Sequence, residues 1–254
     1  MMMQIRPQRY WFRWLKRVAW YIFQRLENNG NADRRSNGEE RFLEDWVKQA
    51  HAQPCVVLDV GANRGEWSEA LQAKAAQYQL PIDLHLFEPL PETFAVLQAI
   101  FAQNTAVHLN PWGISAEAGT QTLFVSGKNQ ALSSLYDRRL PENPVVPVNI
   151  SLQRLDTYIA ERQLPHIDLL KIDTEGHELR VLQSLGDYLH TGFVRCIQFE
   201  YGATYLDART SLREVAQLLT ERGYRLMKIM PTHLEPRAYE ASLETFQYAN
   251  FVAM

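Results

Sequence analysis

One short stretch constrains the fold of this chain more than any other. Residues 56–60 form an apolar, β-branched run that contains the carboxylate of Asp59, and Gly61 and Gly65 follow it four positions apart. This pattern predicts a buried strand that turns sharply into a helix beginning near Glu66. Glycine permits left-handed backbone dihedrals and a close backbone approach, and the first amides of a helix have no partner within it. The turn therefore predicts an α/β fold that holds a nucleoside-containing cofactor.

Strand and helix patterns alternate along the rest of the chain. Strands are predicted over residues 56–60, 84–88, 106–109, 167–172, 193–199, 225–229 and 246–252, and helices over 40–51, 66–78, 91–102, 178–185 and 212–222. Two extended segments, 120–125 and 145–152, flank a polar loop and predict an insertion. The alternation predicts a mostly parallel sheet with helices on both faces, which binds its ligands beyond the carboxyl ends of the strands.

Composition limits the class of protein. With 254 residues, 46% hydrophobic and 22% charged, the chain can form one large core and an appendage. It contains no apolar run of the roughly 20 residues that span a bilayer and no stretch typical of a secretory signal, so we expect a cytoplasmic location. Cys55 and Cys196 form no CxxC or Cys/His pattern, so neither a disulfide framework nor a zinc site is expected.

The charge is distributed unevenly. Residues 1–26 contain six Lys and Arg and no acid, whereas residues 27–254 contain 20 Lys and Arg against 29 Asp and Glu. Because phosphate neutralisation supplies most of the affinity for nucleic acids, the acidic body argues against a nucleic-acid partner. We divide the chain into an amphipathic helix with a polar linker, residues 1–38, and a catalytic domain, residues 39–254.

The N-terminal helix, predicted over residues 9–26, has apolar side chains near one face, including Trp11, Trp14 and Ile22, and basic residues largely on the other. Two interpretations stay open. The helix either contacts a membrane surface or a second subunit, which would make the protein peripheral to the membrane or a homodimer, or it packs on the protein's own core.

Glu88 is the last residue of the second predicted strand, 23 residues after Gly65. Dinucleotide-binding folds place an acid that binds the cofactor ribose at a similar offset. The alternative is a structural acid before a proline-containing turn. The glycine turn has Asn63 where the GxGxxG pattern has its second glycine, which disfavours a diphosphate cofactor such as NAD. An NAD-dependent oxidoreductase is therefore the weaker enzymatic hypothesis.

Four motifs occur together in order: LDVGANRG at 58–65, FEP at 87–89, LD at 155–156 and LLKIDTEGHE at 169–178. With these motifs the chain resembles the FkbM-like family of S-adenosylmethionine-dependent methyltransferases over about residues 55–200. The resemblance implies a Rossmann-like class I fold, a seven-stranded sheet with one antiparallel strand and helices on both faces. It also implies S-adenosylmethionine as cofactor and, as acceptor, a hydroxyl of a sugar, a glycan or a small secondary metabolite.

The resemblance also implies which residues contact the cofactor. Glu88 would hold the ribose, and Trp112 and Gly113 would approach the adenine, although Trp112 is larger than the residue expected there. The turn after the first strand would line the methionine end of the cofactor with Asp59, Gly61, Ala62, Asn63 and Gly65.

The segment 173–178 carries the catalytic candidates. Asp173 ends a predicted strand, where its carboxylate would face the sulfonium or the acceptor hydroxyl, and Glu175 and His177 follow it. Methyl transfer to an aliphatic hydroxyl needs a base, and His177 is attractive because an unperturbed imidazole titrates near neutral pH. Alternatively, Asp173 and Glu200 hold Mg²⁺, which would lower the hydroxyl pKa. Spacing does not decide between these options.

Two further expectations concern neighbouring residues. Glu178 is interpreted as structural, with Thr174 as the N-cap of the helix that follows. The loop 133–139 either contacts the acceptor or is a solvated polar turn. The non-enzymatic alternative is a membrane-tethered binding module whose cofactor site is degenerate.

Overall fold

The computed structural model describes residues 10–50, 54–127, 133–138 and 145–254. Arg6 and Arg9 of the basic arm, His51 at the predicted end of a helix and Arg139 lie outside the described residues. Eight helices are described: α1 Tyr10–Leu26, α2 Glu39–Gln49, α3 Glu66–Gln77, α4 Pro91–Phe101, α5 Leu155–Arg162, α6 Glu178–Gln183, α7 Thr204–Ala208 and α8 Leu212–Glu221. Within the described ranges, no helix has the length and apolar character needed to cross a bilayer.

Eleven strands are described: β1 Cys55–Val60, β2 Ile82–Phe87, β3 Val107–Asn110, β4 Gly113–Ile114, β5 Gly119–Ser126, β6 Val145–Gln153, β7 Leu169–Ile172, β8 Ile197–Tyr201, β9 Leu226–Ile229, β10 Leu234–Pro236 and β11 Ala249–Ala253. Eight of them form the main sheet in the order β10-β9-β11-β8-β7-β1-β2-β3. The pairs from β8 through β7, β1 and β2 to β3 are parallel, and β11 runs antiparallel to both β8 and β9. The seven strands expected of the main sheet are therefore present, and the three-residue β10 adds an eighth at the edge.

The sheet is covered on both faces because its central strands are apolar throughout. All six residues of β1 are buried. Alternate side chains of β1, such as Val56 and Leu58, pack with α5, α6 and α8, whereas Val57 packs with α2, α3 and α4 on the other face. This arrangement confirms the doubly wound α/β fold, and it brings the carboxyl ends of β1, β2, β7 and β8 to one edge of the sheet.

The predicted insertion is a second, three-stranded sheet. β5 and β6 pair antiparallel, and β4 lies parallel to β6 on its other side. The helices α5 and α7 were not predicted, since eight and five residues are too few for a clear helical periodicity.

The polar segment before α2 packs against the main sheet. The Asn28 side chain is buried and donates hydrogen bonds to the carbonyl oxygens of Asn37 (2.7 Å) and Ile229 (3.0 Å). The amide of Gly30 donates to the carbonyl oxygen of Tyr248 at 2.8 Å. These bonds fix the segment beside β9 and β11, and the domain boundary at residue 38 stays a prediction from the sequence.

Candidate functional site

A cavity of about 650 Å³ opens at the carboxyl ends of the parallel strands. Its volume lies within the range of roughly 300–1,000 Å³ typical of small-molecule sites. The cavity is lined by residues at four strand ends: Gly61 after β1, Glu88 after β2, Asp173 after β7 and Glu200 within β8. The alternation of strands and helices predicted a site at this edge of the sheet. Seven of the predicted site residues line this cavity: Gly61, Asn63, Glu88, Gly113, Asp173, Glu175 and His177.

Four predicted cofactor residues do not line the cavity. Asp59 is buried and accepts a hydrogen bond of 2.6 Å from Ser68 Oγ, and burial raises its pKa to about 6. Ala62 belongs to the hydrophobic core, and the Trp112 ring packs against the core as well. Gly65 lies beneath α4, where an added Cβ would stand 2.8–2.9 Å from side-chain carbons of that helix. These four residues support the turn and its surroundings from the protein interior, and they do not line the cavity.

The turn after β1 needs a glycine at its first position. Gly61 has a φ of +85°, and a Cβ there would lie 1.9 Å from the carbonyl oxygen of Asp173. Asn63 also has a positive φ, +47°, which asparagine tolerates better than most residues. The turn therefore brings the backbone after β1 against the backbone after β7 at the floor of the cavity.

Glu88 joins two turns at the cavity wall. Its Oε2 accepts a hydrogen bond from the Asn63 amide (2.9 Å), and its Oε1 accepts from the Leu90 amide (2.9 Å) and Thr93 Oγ1 (2.8 Å). Burial raises the pKa of Glu88, and these three donors act in the opposite direction. A carboxylate offers about four lone-pair positions, so one remains for a ligand.

Asp173 is more accessible than the neighbouring acid Glu175, whose side chain is 14% exposed. The Asp173 side chain is 36% exposed, and its Oδ2 lies 3.3 Å from Nζ of the buried Lys171. Burial lowers the pKa of Lys171, but the carboxylates around it, Asp173 first, outweigh burial and raise it. The resulting ion pair fixes the position of the Asp173 carboxylate at the end of β7.

Glu175 and Glu200 share the cavity with Asp173. One carboxylate oxygen from each of the three residues lies within 4.8 Å of the others. Burial, reinforced by the neighbouring charge of Asp173, raises the pKa of Glu175 to about 8 and that of Glu200 well above its usual value. Arg138 Nη1 lies 3.9 Å from the Glu175 carboxylate and lowers the pKa of Glu175, but by less than burial and Asp173 raise it. Glu175 therefore retains its proton at neutral pH.

His177 differs from the sequence expectation of a group that titrates near neutral pH. Burial, with a smaller contribution from Arg180, lowers the pKa of His177 to about 4. Its Nδ1 lies 2.9 Å from Tyr136 Oη and its Nε2 3.0 Å from Ser115 Oγ. The imidazole is thus neutral at pH 7 and hydrogen-bonded at both nitrogens, as suits a positioning group.

Glu178 has the structural role expected, but Thr174 does not. Helix α6 begins at Glu178, so Thr174 is not its N-cap. Instead the Glu178 carboxylate accepts hydrogen bonds from the amide and hydroxyl of Thr174, both 3.0 Å, and from the Gly176 amide at 3.2 Å. Burial raises the pKa of Glu178 to about 7 despite these donors. Glu178 thereby holds the turn that presents Asp173 and Glu175.

The structure adds residues to the site that sequence reasoning missed. Gly30, Ala32 and Arg34 of the N-terminal segment line the cavity. So does Glu39, a buried residue that accepts hydrogen bonds from Asn37 (2.7 Å), Gln198 (3.1 Å), Tyr248 (3.2 Å) and Asn250 (2.9 Å). Its sequence signal, an acid in the first turn of a helix, is common to ordinary surface helices. Ser133, Leu135 and Arg138 also line the cavity; they belong to the loop 133–139, for which the sequence left acceptor contact and a solvated turn open.

Comparisons with known proteins show similarity to methyltransferases. Residues 59–226 match the family described as the Methyltransferase FkbM domain. The 31-O-demethyl-FK506 methyltransferase FkbM of Streptomyces tacrolimicus is 30% identical over 243 residues, which cover 80% of this chain and 88% of the relative. Methyltransferase sdnD of Sordaria araneosa is 31% identical over 173 residues, 57% of this chain and 65% of that relative.

Solved structures of methyltransferases are similar at a more distant level. The plantazolicin methyltransferase BpumL, solved in complex with SAH, has a TM-score of 0.45 at 13% identity and covers 94% of this chain and 89% of its own. The precorrin-6y C5,15-methyltransferase of Geobacter metallireducens GS-15 has a TM-score of 0.42 at 13% identity, over 84% and 86% of the two chains.

Proposed function

This chain belongs to the FkbM methyltransferase family, and we propose that it transfers the methyl group of S-adenosylmethionine to a hydroxyl group of a small molecule or carbohydrate. One observation carries the proposal: the left-handed turn at Gly61, the carboxylate of Glu88 and the accessible Asp173 all line the same cavity at the carboxyl ends of the strands. The relative from Streptomyces tacrolimicus is a 31-O-demethyl-FK506 methyltransferase, and a transfer to an O-demethylated compound supports a hydroxyl acceptor.

The residues of the cavity fit a nucleoside cofactor. Gly61 lets the backbone after β1 lie directly against the backbone after β7, and the two together form the floor of the cavity. Glu88 retains one acceptor position for a ribose hydroxyl, while its three internal bonds keep it in place. Gly113 and Ile114 form an apolar part of the wall, suited to the adenine ring. Since Asn63 stands where a diphosphate would need glycine, S-adenosylmethionine fits better than NAD.

Among the three candidate bases, Asp173 is the one that we assign. S-adenosylmethionine, when bound, supplies a methyl group on a positively charged sulfur. The protein must align the acceptor oxygen and remove its proton. Asp173 is accessible and fixed by Lys171, so its carboxylate accepts the hydroxyl proton. Both nitrogens of His177 are engaged in hydrogen bonds, and Glu175, with a pKa of about 8, is protonated at pH 7.

A divalent cation is the alternative route to the same chemistry. Asp173, Glu175 and Glu200 place one oxygen each within 4.8 Å, and Mg²⁺ prefers carboxylate ligands. Against a cation stands the raised pKa of Glu175 and of Glu200, because a cation would have to compete with protons for these carboxyl groups. We therefore propose metal-independent transfer. Addition of EDTA leaves the methylation rate unchanged if Asp173 acts alone, and abolishes it in a manner reversed by Mg²⁺ if a cation is required.

The acceptor and the location belong to the same proposal. We favour a small molecule or carbohydrate over nucleic acid because residues 27–254 carry a net negative charge. We place the protein in the cytoplasm, where the buried thiols of Cys55 and Cys196 would stay reduced.

Titration calorimetry tests the cofactor assignment. We expect S-adenosylhomocysteine to bind with one site per chain and NAD not to bind. Glu88→Gln should weaken S-adenosylhomocysteine binding at least about tenfold, since the amide places a donor where the carboxylate has an acceptor. Glu92→Gln, a similar change in the first turn of the adjacent α4, is the control. Binding of NAD in place of S-adenosylhomocysteine would support the oxidoreductase alternative and refute the proposal.

A further inference from the structure

Helix α1 exposes an unusual amount of apolar surface. Trp14 is 65% exposed and Leu26 70% exposed. Seven more large apolar side chains of the same 17-residue helix are exposed: Trp11, Phe12, Leu15, Trp20, Tyr21, Ile22 and Phe23. Contiguous apolar patches of this kind are rare on monomers and mark interaction sites. The side chains described for α1 thus do not pack on the protein's own core, which was one interpretation of the sequence.

The charge of α1 has one sign. Its basic residues are Arg13, Lys16, Arg17 and Arg25, and it contains no acid. On a helical projection, Arg13, Lys16 and Arg17 lie on the side opposite Trp11, Leu15 and Ile22, whereas Arg25 lies on the apolar side. The helix therefore combines a wide apolar face with a face that is mostly cationic and includes Trp20.

The base of α1 is attached firmly beside the cavity. Glu27, the next residue, pairs with Lys228 Nζ (3.3 Å) and Arg237 Nη2 (3.1 Å), and Asn28 is bonded to the end of β9. The segment that follows contributes Gly30, Ala32 and Arg34 to the cavity lining. Any surface to which α1 binds is thereby linked to the proposed catalytic site through the short, hydrogen-bonded segment 27–34.

We propose that α1 binds the surface of a lipid bilayer that contains anionic lipids, lying in the plane of the interface. Tryptophan and tyrosine are favoured at that depth, and Lys and Arg are attracted to anionic headgroups. The positive charge of the helix, which contains no acid, favours an anionic surface as the occupant. A second copy docked through the apolar face is the alternative that the light-scattering measurement tests. At 17 residues with four basic side chains, the helix is also unsuited to cross the bilayer.

Vesicle co-sedimentation of the full chain tests the proposal. We expect binding to vesicles of phosphatidylcholine with about a third phosphatidylglycerol, weaker binding to pure phosphatidylcholine, and release as salt is raised, because screening shortens the reach of the charges. The tryptophan emission should shift to shorter wavelength on addition of the anionic vesicles. The double variant Arg13→Glu/Arg17→Glu should lower the affinity for anionic vesicles at least about tenfold.

A matched control separates this surface from a general charge effect. Arg222 and Arg225 are exposed and lie far along the chain, so Arg222→Glu/Arg225→Glu makes the same change in net charge. We expect the control to bind vesicles like the unmodified chain, and both variants to keep their affinity for S-adenosylhomocysteine, which checks the fold. Absence of binding to anionic vesicles, equal loss in both variants, or a dimer in light scattering that forms through α1 without vesicle binding would each overturn the proposal. None of these outcomes depends on the methyl-transfer assignment.

Discussion

At the scale of single residues, the turn at Gly61 shows how one missing side chain defines the site. The carbonyl oxygen of Asp173 occupies the space where a Cβ of residue 61 would lie, at 1.9 Å, and the φ of +85° is costly for any residue with a side chain. The two strand ends that form the cavity floor could not come this close otherwise. The glycine is therefore both a folding and a binding requirement.

Gly61→Ala should lower the free energy of unfolding by about 2–4 kcal/mol, because the left-handed dihedral and the overlap with backbone act together. Equilibrium urea unfolding measures the loss. Gly202→Ala is the matched control, since Gly202 also lines the cavity but its Cβ would meet only the Tyr248 Cα, at 3.9 Å. Equal stability of the two variants would contradict the close approach described for Gly61.

Glu175 gives a pH dependence whose sign is fixed. Its pKa is about 8 in the folded protein and near 4.5 when unfolded, so between these values the folded state binds more protons than the unfolded state. Stability from this group is complete below pH 4.5 and is lost as the pH rises toward 8. The decrease in unfolding free energy from pH 6 to pH 9 should be smaller in Glu175→Gln than in the unmodified chain by at least about 1 kcal/mol. Denaturant titrations at the two pH values measure it.

Glu161→Gln, an exposed change, should leave that pH dependence as it is. If Glu175→Gln also left it unchanged, the carboxyl group would not be held protonated by burial and by Asp173.

At this scale, the sequence predicted which residues form the site better than it predicted the burial and the contacts of their side chains. Glu88 and Asp173 were found because a strand end followed by an acid is visible in the order of residues. The low pKa of His177 was not, because it depends on burial by elements distant in the chain. Glu39 was missed for the same reason, since Gln198, Tyr248 and Asn250 reach it from the other end of the sequence.

At the scale of elements, long periodic segments were predicted well and short ones were not. The helix after β1 begins at Glu66 as expected, since the glycine turn marks its start. Helices α5 and α7 and the short strands β4 and β10 have no period of their own and depend on contacts with the sheets. The loop between β5 and β6 contributes to the cavity through residues 133–138, in line with one of the two interpretations that the sequence left open.

The Glu39 side chain connects α2 to the main sheet, so its removal should lower the free energy of unfolding. Glu39→Ala leaves the buried donors of Asn37, Gln198 and Asn250 without their acceptor, so we expect a loss of about 2–4 kcal/mol in unfolding free energy. Glu40→Ala removes another acid from the same first turn and should cost less than about 1 kcal/mol. Thermal and urea unfolding compare the two variants; similar losses would show that the buried network contributes little.

At the scale of the whole molecule, the parts differ in how they are held together. The catalytic body is one sheet with helices packed on both faces, whereas the described side chains of α1 are mostly exposed. The alternation of strands and helices was sufficient to predict the body, because a parallel sheet needs crossover helices. The position of α1 could not be predicted, since an amphipathic pattern does not say what covers the apolar face.

Deletion of residues 1–26 should therefore leave the body intact. Because α1 buries little apolar surface on the body, we expect the unfolding free energy to change by less than about 1 kcal/mol. The affinity for S-adenosylhomocysteine should stay within about twofold, since Glu27 and the cavity-lining segment remain. Urea unfolding and calorimetry of the shortened chain measure both. A loss of several kcal/mol would mean that α1 packs on the core after all.

A crystal structure of the full chain with S-adenosylhomocysteine would show whether the cavity is the cofactor site. We expect the nucleoside in the cavity at the carboxyl ends of the strands, with its ribose against Glu88, its adenine beside Gly113 and its sulfur directed toward Asp173. A ligand bound at any other place, or the cavity filled by the protein's own side chains, would contradict this expectation.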